Sequence, residues 1–187
     1  GDSASDSIIL PRAATQTEKL YVEWESGDTE IIPNTTQNLT HTYSASGAKT
    51  IKINTSGRFE QLQYNNLSDK LKLTDVSQCG CLDISIGGVF YGCSNMTWTA
   101  TDAPSISTTS LGSTFRNCSV FNGDVSNWDV SSVTAMLGMF QNALLFNQDL
   151  SSWDMSAVEN IANMFRSTSF DQDISTWNIS SVTTGIN

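Results

Sequence analysis

Acidic and amide side chains recur at fixed intervals in the second half of the chain. Asp124, Asp149 and Asp173 stand 25 and then 24 residues apart, Asp129 and Asp154 form a second series, and Asn122, Asn147 and Asp171 precede the first by two residues. If equivalent residues stack at the roughly 4.8 Å of paired strands, each series is a column of like charges that needs compensation. One compensation is local: an Asp or Asn at a turn accepts backbone N–H bonds, which spread its charge over their dipoles. The other is a cation, since carboxylate oxygens are the hard ligands that Ca²⁺ takes. Asp124, Asp149 and Asp173 are therefore the candidate calcium ligands. No stretch reproduces a complete calcium loop, so turn capping is the leading reading.

Other groups carry less chemistry. Glu23, Glu25, Asp28 and Glu30 cluster around one turn; a carboxylate pair hydrolyses glycosides only across a cleft, and flanking a hairpin these four read as solvated. The single histidine, His41, lies far from the cysteines, so no thiol has an evident base. Cys93 and Cys118 are one period apart, which suits either stacked buried thiols or a disulfide, whereas Cys79 and Cys81 could pair only under strain. Trp128, Trp153 and Trp177, with Phe121, Phe146 and Phe170, could offer faces to sugars. Rings at such regular spacing are expected to stack on one another in a core instead.

The elements that must position these residues are repeats. FNGDVSNWDVSSVTAMLGMFQNALL, FNQDLSSWDMSAVENIANMFRSTS and FDQDISTWNISSVTTGIN restate one pattern with a period of 25, then 24. Phe140 has counterparts one and two periods earlier at Phe115 and Phe90, each preceded at four residues by an aliphatic or Met (Ile86, Leu111, Met136, with Ile161 before Phe165), which starts the repeats near Cys81. A fixed period in the twenties is the signature of a solenoid, in which each copy buries its apolar face only against its neighbours. Each copy is expected to alternate a short strand at Asp-Val-Ser-x-Trp with a helical or 3₁₀ turn at Val-Thr-x-Met-x-x-Met-Phe. Val182 to Asn187 aligns with Val158 to Asn163, so the chain is expected to break off in mid-repeat.

Residues 1–7 read as a linker. Residues 8–57 hold five short runs, SIILP, KLYVEW, TEII, NLTHTY and AKTIKIN, separated by turn residues, which predicts a small β-sandwich. Residues 58–80 are too apolar for a flexible linker and read as a connector and cap over the first repeat at 81.

Two resemblances attach to these segments. Tyr21-Val22-Glu23-Trp24 with Gly27-Asp28-Thr29, His41-Thr42-Tyr43, Gly47 and Thr50-Ile51-Lys52-Ile53 resembles the PKD (polycystic-kidney-disease-type) immunoglobulin-like domain. Lys49 stands where that family has an aromatic. FYGCSNM, FRNCSVFNGDVSNWDVSSVTAMLGMF and FNQDLSSWDMS resemble the BspA-like leucine-rich-repeat surface proteins of bacteria, over residues 81–187. The resemblances imply a mainly β chain: a PKD-like sandwich, then a leucine-rich-repeat-type solenoid. They imply surface attachment and partner binding without catalysis.

The balance of 9 basic to 19 acidic residues gives a net charge of -10, with seven acids facing one base from Phe121 onward. Such a chain repels nucleic acid and anionic membranes, and no run is long and apolar enough for membrane insertion of this fragment. The sequence reading is thus a non-enzymatic extracellular or cell-surface module with an acidic, hydroxyl-rich surface. Its partner is a protein or glycan on another cell or surface, or copies of itself in an assembly. Asn127, Ser152 and Thr176, between the ring positions, are the candidate partner-binding residues. A rigid spacer in a surface filament, sheath or virion fibre is the alternative, and a glycosidase comes third.

Overall fold

The computed structural model describes residues 7–11, 19–33, 38–45, 47–60 and 62–185. Most of the linker (residues 1–6), the turn residues Asn34 and Ser46, and the last two residues of the final copy lie outside the described residues. The described chain is mainly β, with almost no helix and no closed barrel. Among the described residues no helix is long and apolar enough to cross a membrane.

The five predicted strands form: β1 (Ser7–Leu10), β2 (Leu20–Glu25), β3 (Asp28–Ile32), β4 (Leu39–Thr42) and β5 (Lys52–Thr55). In β2 the buried Leu20, Val22 and Trp24 alternate with Tyr21, Glu23 and Glu25, the period-2 pattern that seats one face on a core. β2 pairs antiparallel with both β3 and β5, and β1 pairs antiparallel with β4. The β2–β3 turn needs Gly27, whose φ of 88° lies in the left-handed region. His41 on β4 stacks on Trp24 of β2 at 4.7 Å, and the Tyr43 hydroxyl donates to Trp24 O at 3.3 Å. Those contacts tie the two sheets together.

From Phe59 onward the pairing turns parallel. β6 (Phe59–Glu60), β8 (Leu82–Ile84) and β10 (Ser105–Ile106) form one sheet, and β7 (Asp75–Val76) pairs with β9 (Thr97–Trp98). A short 3₁₀ segment, Ser68–Lys72, stands between β6 and β7. Beyond β10, single parallel bridges link Ser110 to Ala135, Ala135 to Asn160 and Asn160 to Thr184, one period apart.

The expected strand and helical turn of each repeat are not what forms. No strand spans Asp124 to Trp128, and the Met-Phe segment is not helical. Its N–H groups instead alternate between two jobs. Met136, Gly138, Phe140 and Asn142 donate to Asn160, Ala162, Met164 and Arg166 of the next copy at 2.8–3.0 Å. Met139 and Gln141, between them, and Ala143, just after, each donate three residues back within their own copy. A helix would have turned every N–H inward and left none to join the copies. Residues two before and two after each ring take left-handed φ: Gly88 and Gly92, Ser113 and Asn117, Gly138 and Asn142, Asn163 and Ser167. This explains the Gly and Asn at those places; Ser113 and Ser167 take the same φ without that advantage.

The same ladder reaches back into the connector segment. Tyr64 donates to Val89 O at 2.8 Å, as Phe90 does to Thr114 O, and Asn66 to Tyr91 O. Tyr64, fully buried, thus stands where later copies have Phe. Through the copies the rings form one zigzag stack. Phe90, Phe115, Phe140 and Phe165 follow each other at 5.5–5.8 Å, and Phe121, Phe146 and Phe170 lie beside them at 3.9–4.0 Å from their own copy's ring. Trp153 and Trp177 donate their indole N–H to Val125 O and Leu150 O of the preceding copy.

Candidate binding surface

Each carboxylate of the two acidic series caps a turn. Oδ1 of Asp124, Asp149 and Asp173 accepts the N–H two residues on, from Ser126, Ser151 and Ser175, at 2.8–2.9 Å. Asp129 and Asp154 do the same with Ser131 and Ser156, at 3.1 and 3.0 Å. A turn of this kind needs an oxygen two atoms from the backbone, which is why Asp recurs there. The serine N–H and hydroxyl hold the carboxyls of Asp149 and Asp173 below the usual range, and the serine hydroxyl and N–H do so at Asp129 and Asp154. The charge of Asp154 acts against this at Asp129, and that of Asp173 at Asp149. Among the described residues no three His, Cys, Asp or Glu side chains gather closely enough to hold a metal ion. The calcium candidates Asp124, Asp149 and Asp173 are single capping residues on successive copies.

Asn127, Ser152 and Thr176 are exposed, but each already donates one hydrogen bond to the preceding copy. Asn127 Nδ2 donates to Thr101 O, Ser152 Oγ to Ser126 O and Thr176 Oγ1 to Ser151 O, each on the preceding copy, at 2.8–3.1 Å. Ser119, Ser169, Ser181 and Thr183 make equivalent bonds. Asn142 Nδ2 donates to Asn117 Oδ1 at 2.8 Å, while Asn122 and Asn147 accept the N–H of Asn147 and Asp171. Much of the hydroxyl and amide surface is thus the polar half of the inter-copy contact.

The N-terminal carboxylates are each partnered rather than poised across a cleft. Lys52 pairs with Glu23 at 3.1 Å and Lys49 with Glu25 at 2.7 Å, His41 Nε2 lies 3.3 Å from Asp28, and the Trp24 indole donates to Glu30 at 3.0 Å. The four cysteines are free thiols. Burial pushes the Cys118 thiol up to about 12, and burial with the nearby Asp102 charge pushes Cys79 to about 12 as well. Cys93 is raised by burial and by its neighbour Cys118. Such thiols are poor nucleophiles at neutral pH. A cleft of about 410 Å³, with Ile8, Ile51, Ile53, Leu73 and Val76 on its walls, opens where the two antiparallel sheets meet β7 and β8.

One surface was absent from the sequence reading. Between Phe90, Phe115, Phe140 or Phe165 and the Met96, Phe121, Phe146 or Phe170 that follows it, the chain makes a tight bend, residues 91–95, 116–120, 141–145 and 166–169. The first residue of each bend is Tyr91, Arg116, Gln141 or Arg166, and the bends also carry the exposed Val120, Leu144 and Leu145. Arg116 lies over the Tyr91 ring at 5.4 Å. A signal for it existed: the two bases within residues 81–187 are Arg116 and Arg166, two periods apart.

Comparison with known proteins gives one positive finding. Residues 84–186 match the model of a family described as Mycoplasma protein of unknown function, DUF285. No curated protein and no solved structure matches the chain.

Proposed function

The chain belongs to the DUF285 family, and from that premise we propose that it is a non-enzymatic binding module of a cell surface. In this reading residues 81–187 form a leucine-rich-repeat-type solenoid of BspA-like character, capped by residues 58–80 and carried behind a PKD-like β-sandwich built from β1–β5. The observation that carries it is the hydrogen-bond ladder between equal positions of successive copies. Such a ladder repeats any exposed side chain at a fixed interval along the array. A partner with matching spacing then gains many weak contacts, which together hold far more tightly than one. The module adheres to a protein or glycan outside the cell.

Retention of coated beads tests this reading. Beads carrying residues 1–187 are laid on arrays of extracellular proteins and of glycans, with soluble chain as competitor. Saturable retention on a subset of spots, lost with competitor, is the expected result; uniform absence of retention overturns it. The alternative, a rigid spacer in a filament, sheath or virion fibre, predicts ordered multimers without any ligand, visible by negative-stain microscopy.

A further inference from the structure

We infer that the row of bends from Tyr91 to Arg166 is the partner-binding face, and that its ligand is an extended protein segment carrying acidic and aliphatic side chains. The inference rests on the adhesion reading and specifies its site. Arg116 and Arg166 are the only bases within residues 81–187, and both fall on the first position of a bend. Neither guanidinium is ion-paired with a described carboxylate. All nine acids of residues 81–187 lie outside the bends, so a face of positive charge stands on a strongly acidic chain. Beside the arginines Val120, Leu144 and Leu145 are 39%, 50% and 54% exposed. In the first and second bends the residue corresponding to Val120 and Leu145 varies from Asn95 to Val120, and the fourth bend lacks it altogether, which is how the period shortens from 25 to 24.

Composition and size point to one class of occupant. Arg and Tyr are among the side chains that carry most binding energy at protein interfaces, exposed aliphatic side chains gain by leaving water, and a guanidinium takes a carboxylate through paired hydrogen bonds. Exposed Val and Leu favour a peptide over a sugar, whose hydroxyls they cannot partner. With successive rings at 5.5–5.8 Å, the row from Tyr91 to Arg166 runs about 17 Å. That is roughly five residues of extended chain, and too short an edge for the ~800 Å² per partner of a stable dimer. Arg116 and Arg166 stand about 11 Å apart, close to the ~9 Å between residues three apart on a polyproline-II segment. The ligand therefore carries two acids three positions apart with aliphatic residues between them.

The probe is a fluorescein-labelled hexapeptide with aspartates at its second and fifth positions and leucines between, titrated into residues 1–187 and followed by anisotropy. The expected result is saturable binding that weakens at least tenfold when the aspartates become asparagines. It weakens at least tenfold in Arg166→Gln and in Leu145→Ser, and falls with rising salt. Asp149→Asn, on a different face, binds as the parent does. Arg166 and Leu145 are exposed, and unchanged circular-dichroism melting of their variants shows that the fold is kept. Equal binding of the acidic and amide peptides, or of parent and variants, overturns the proposal. So does binding of heparin fragments that Arg166→Gln abolishes while the peptide does not bind. Bead retention that survives Arg166→Gln with Leu145→Ser overturns the bend row alone, whereas beads of the parent chain that adhere to nothing overturn the adhesion reading itself.

Discussion

Asp149 and Asn178 occupy different places in their copies yet perform one act, accepting the N–H two residues on, at 2.8 and 3.2 Å. The amide does it without a charge. The folded state holds the carboxyls of Asp129, Asp149, Asp154 and Asp173 below the usual range, whereas the unfolded chain restores them to about 3.9. The unfolded chain therefore binds more protons at acid pH, and stability present above about pH 4 is lost as pH falls through the folded values. Asp149→Asn is expected to melt close to the parent at pH 7 and to lose less than the parent between pH 5 and pH 3. An unchanged acid slope in thermal melts would sink this account of the capping series. The capping role of these aspartates was readable from their recurrence alone. The commitment of Asn127, Ser152 and Thr176 to backbone carbonyls was not, because it depends on which atoms of the preceding copy face them.

At the scale of one copy, the ring stack is the main source of cohesion. Phe140 touches the rings of Phe115, Phe121, Phe146, Trp153 and Phe165. Phe170, half-buried, touches Phe146 and Phe165. Phe140→Ala is expected to cost about 3–5 kcal/mol and Phe170→Ala clearly less, as chemical denaturation would measure; equal costs would show that the stack does not set stability. The positions of these rings were plain from the period. The role of Trp98 was not, since it lies two residues after Met96 rather than at the seven-residue offset of the later tryptophans. Its ring nonetheless lies 5.6 Å from that of Trp128. A Cβ at Gly123 would collide with the Trp98 side chain, so that place is Gly in this copy and Gln148 or Gln172 in the later ones. The local period also misled about secondary structure: apolar residues at spacings of three and four around Met136 and Met139 suit a helical turn, yet the chain uses left-handed residues to free alternate N–H groups for its neighbour.

Over the whole molecule, stacking copies brings the acidic columns into register. The mutual influence of Asp129 with Asp154 and of Asp149 with Asp173 is repulsive, and it acts between exposed groups that salt screens. Thermal melting is therefore expected to rise as sodium chloride is added from low ionic strength. Excess chelator should leave it unchanged, and Ca²⁺ should do no more than Mg²⁺ at equal ionic strength. A rise specific to Ca²⁺ would favour the cation reading of Asp124, Asp149 and Asp173 over turn capping alone. The same stacking gathers Arg116 and Arg166 onto one row, so opposite charges are sorted to different faces without any residue moving from its place in the repeat.

By itself the sequence determined the period, the ring and aspartate positions, and the five N-terminal strands with their β2 alternation. Each is a local preference restated in residue type: β-branched and aromatic runs, turn residues, recurring capping oxygens. Only the tertiary structure decided how the copies join, that Tyr64 serves where Phe serves later, and which polar groups remain for a partner. Those depend on contacts one period away, where a donor is committed or free according to the carbonyl it meets, and no local pattern records that meeting.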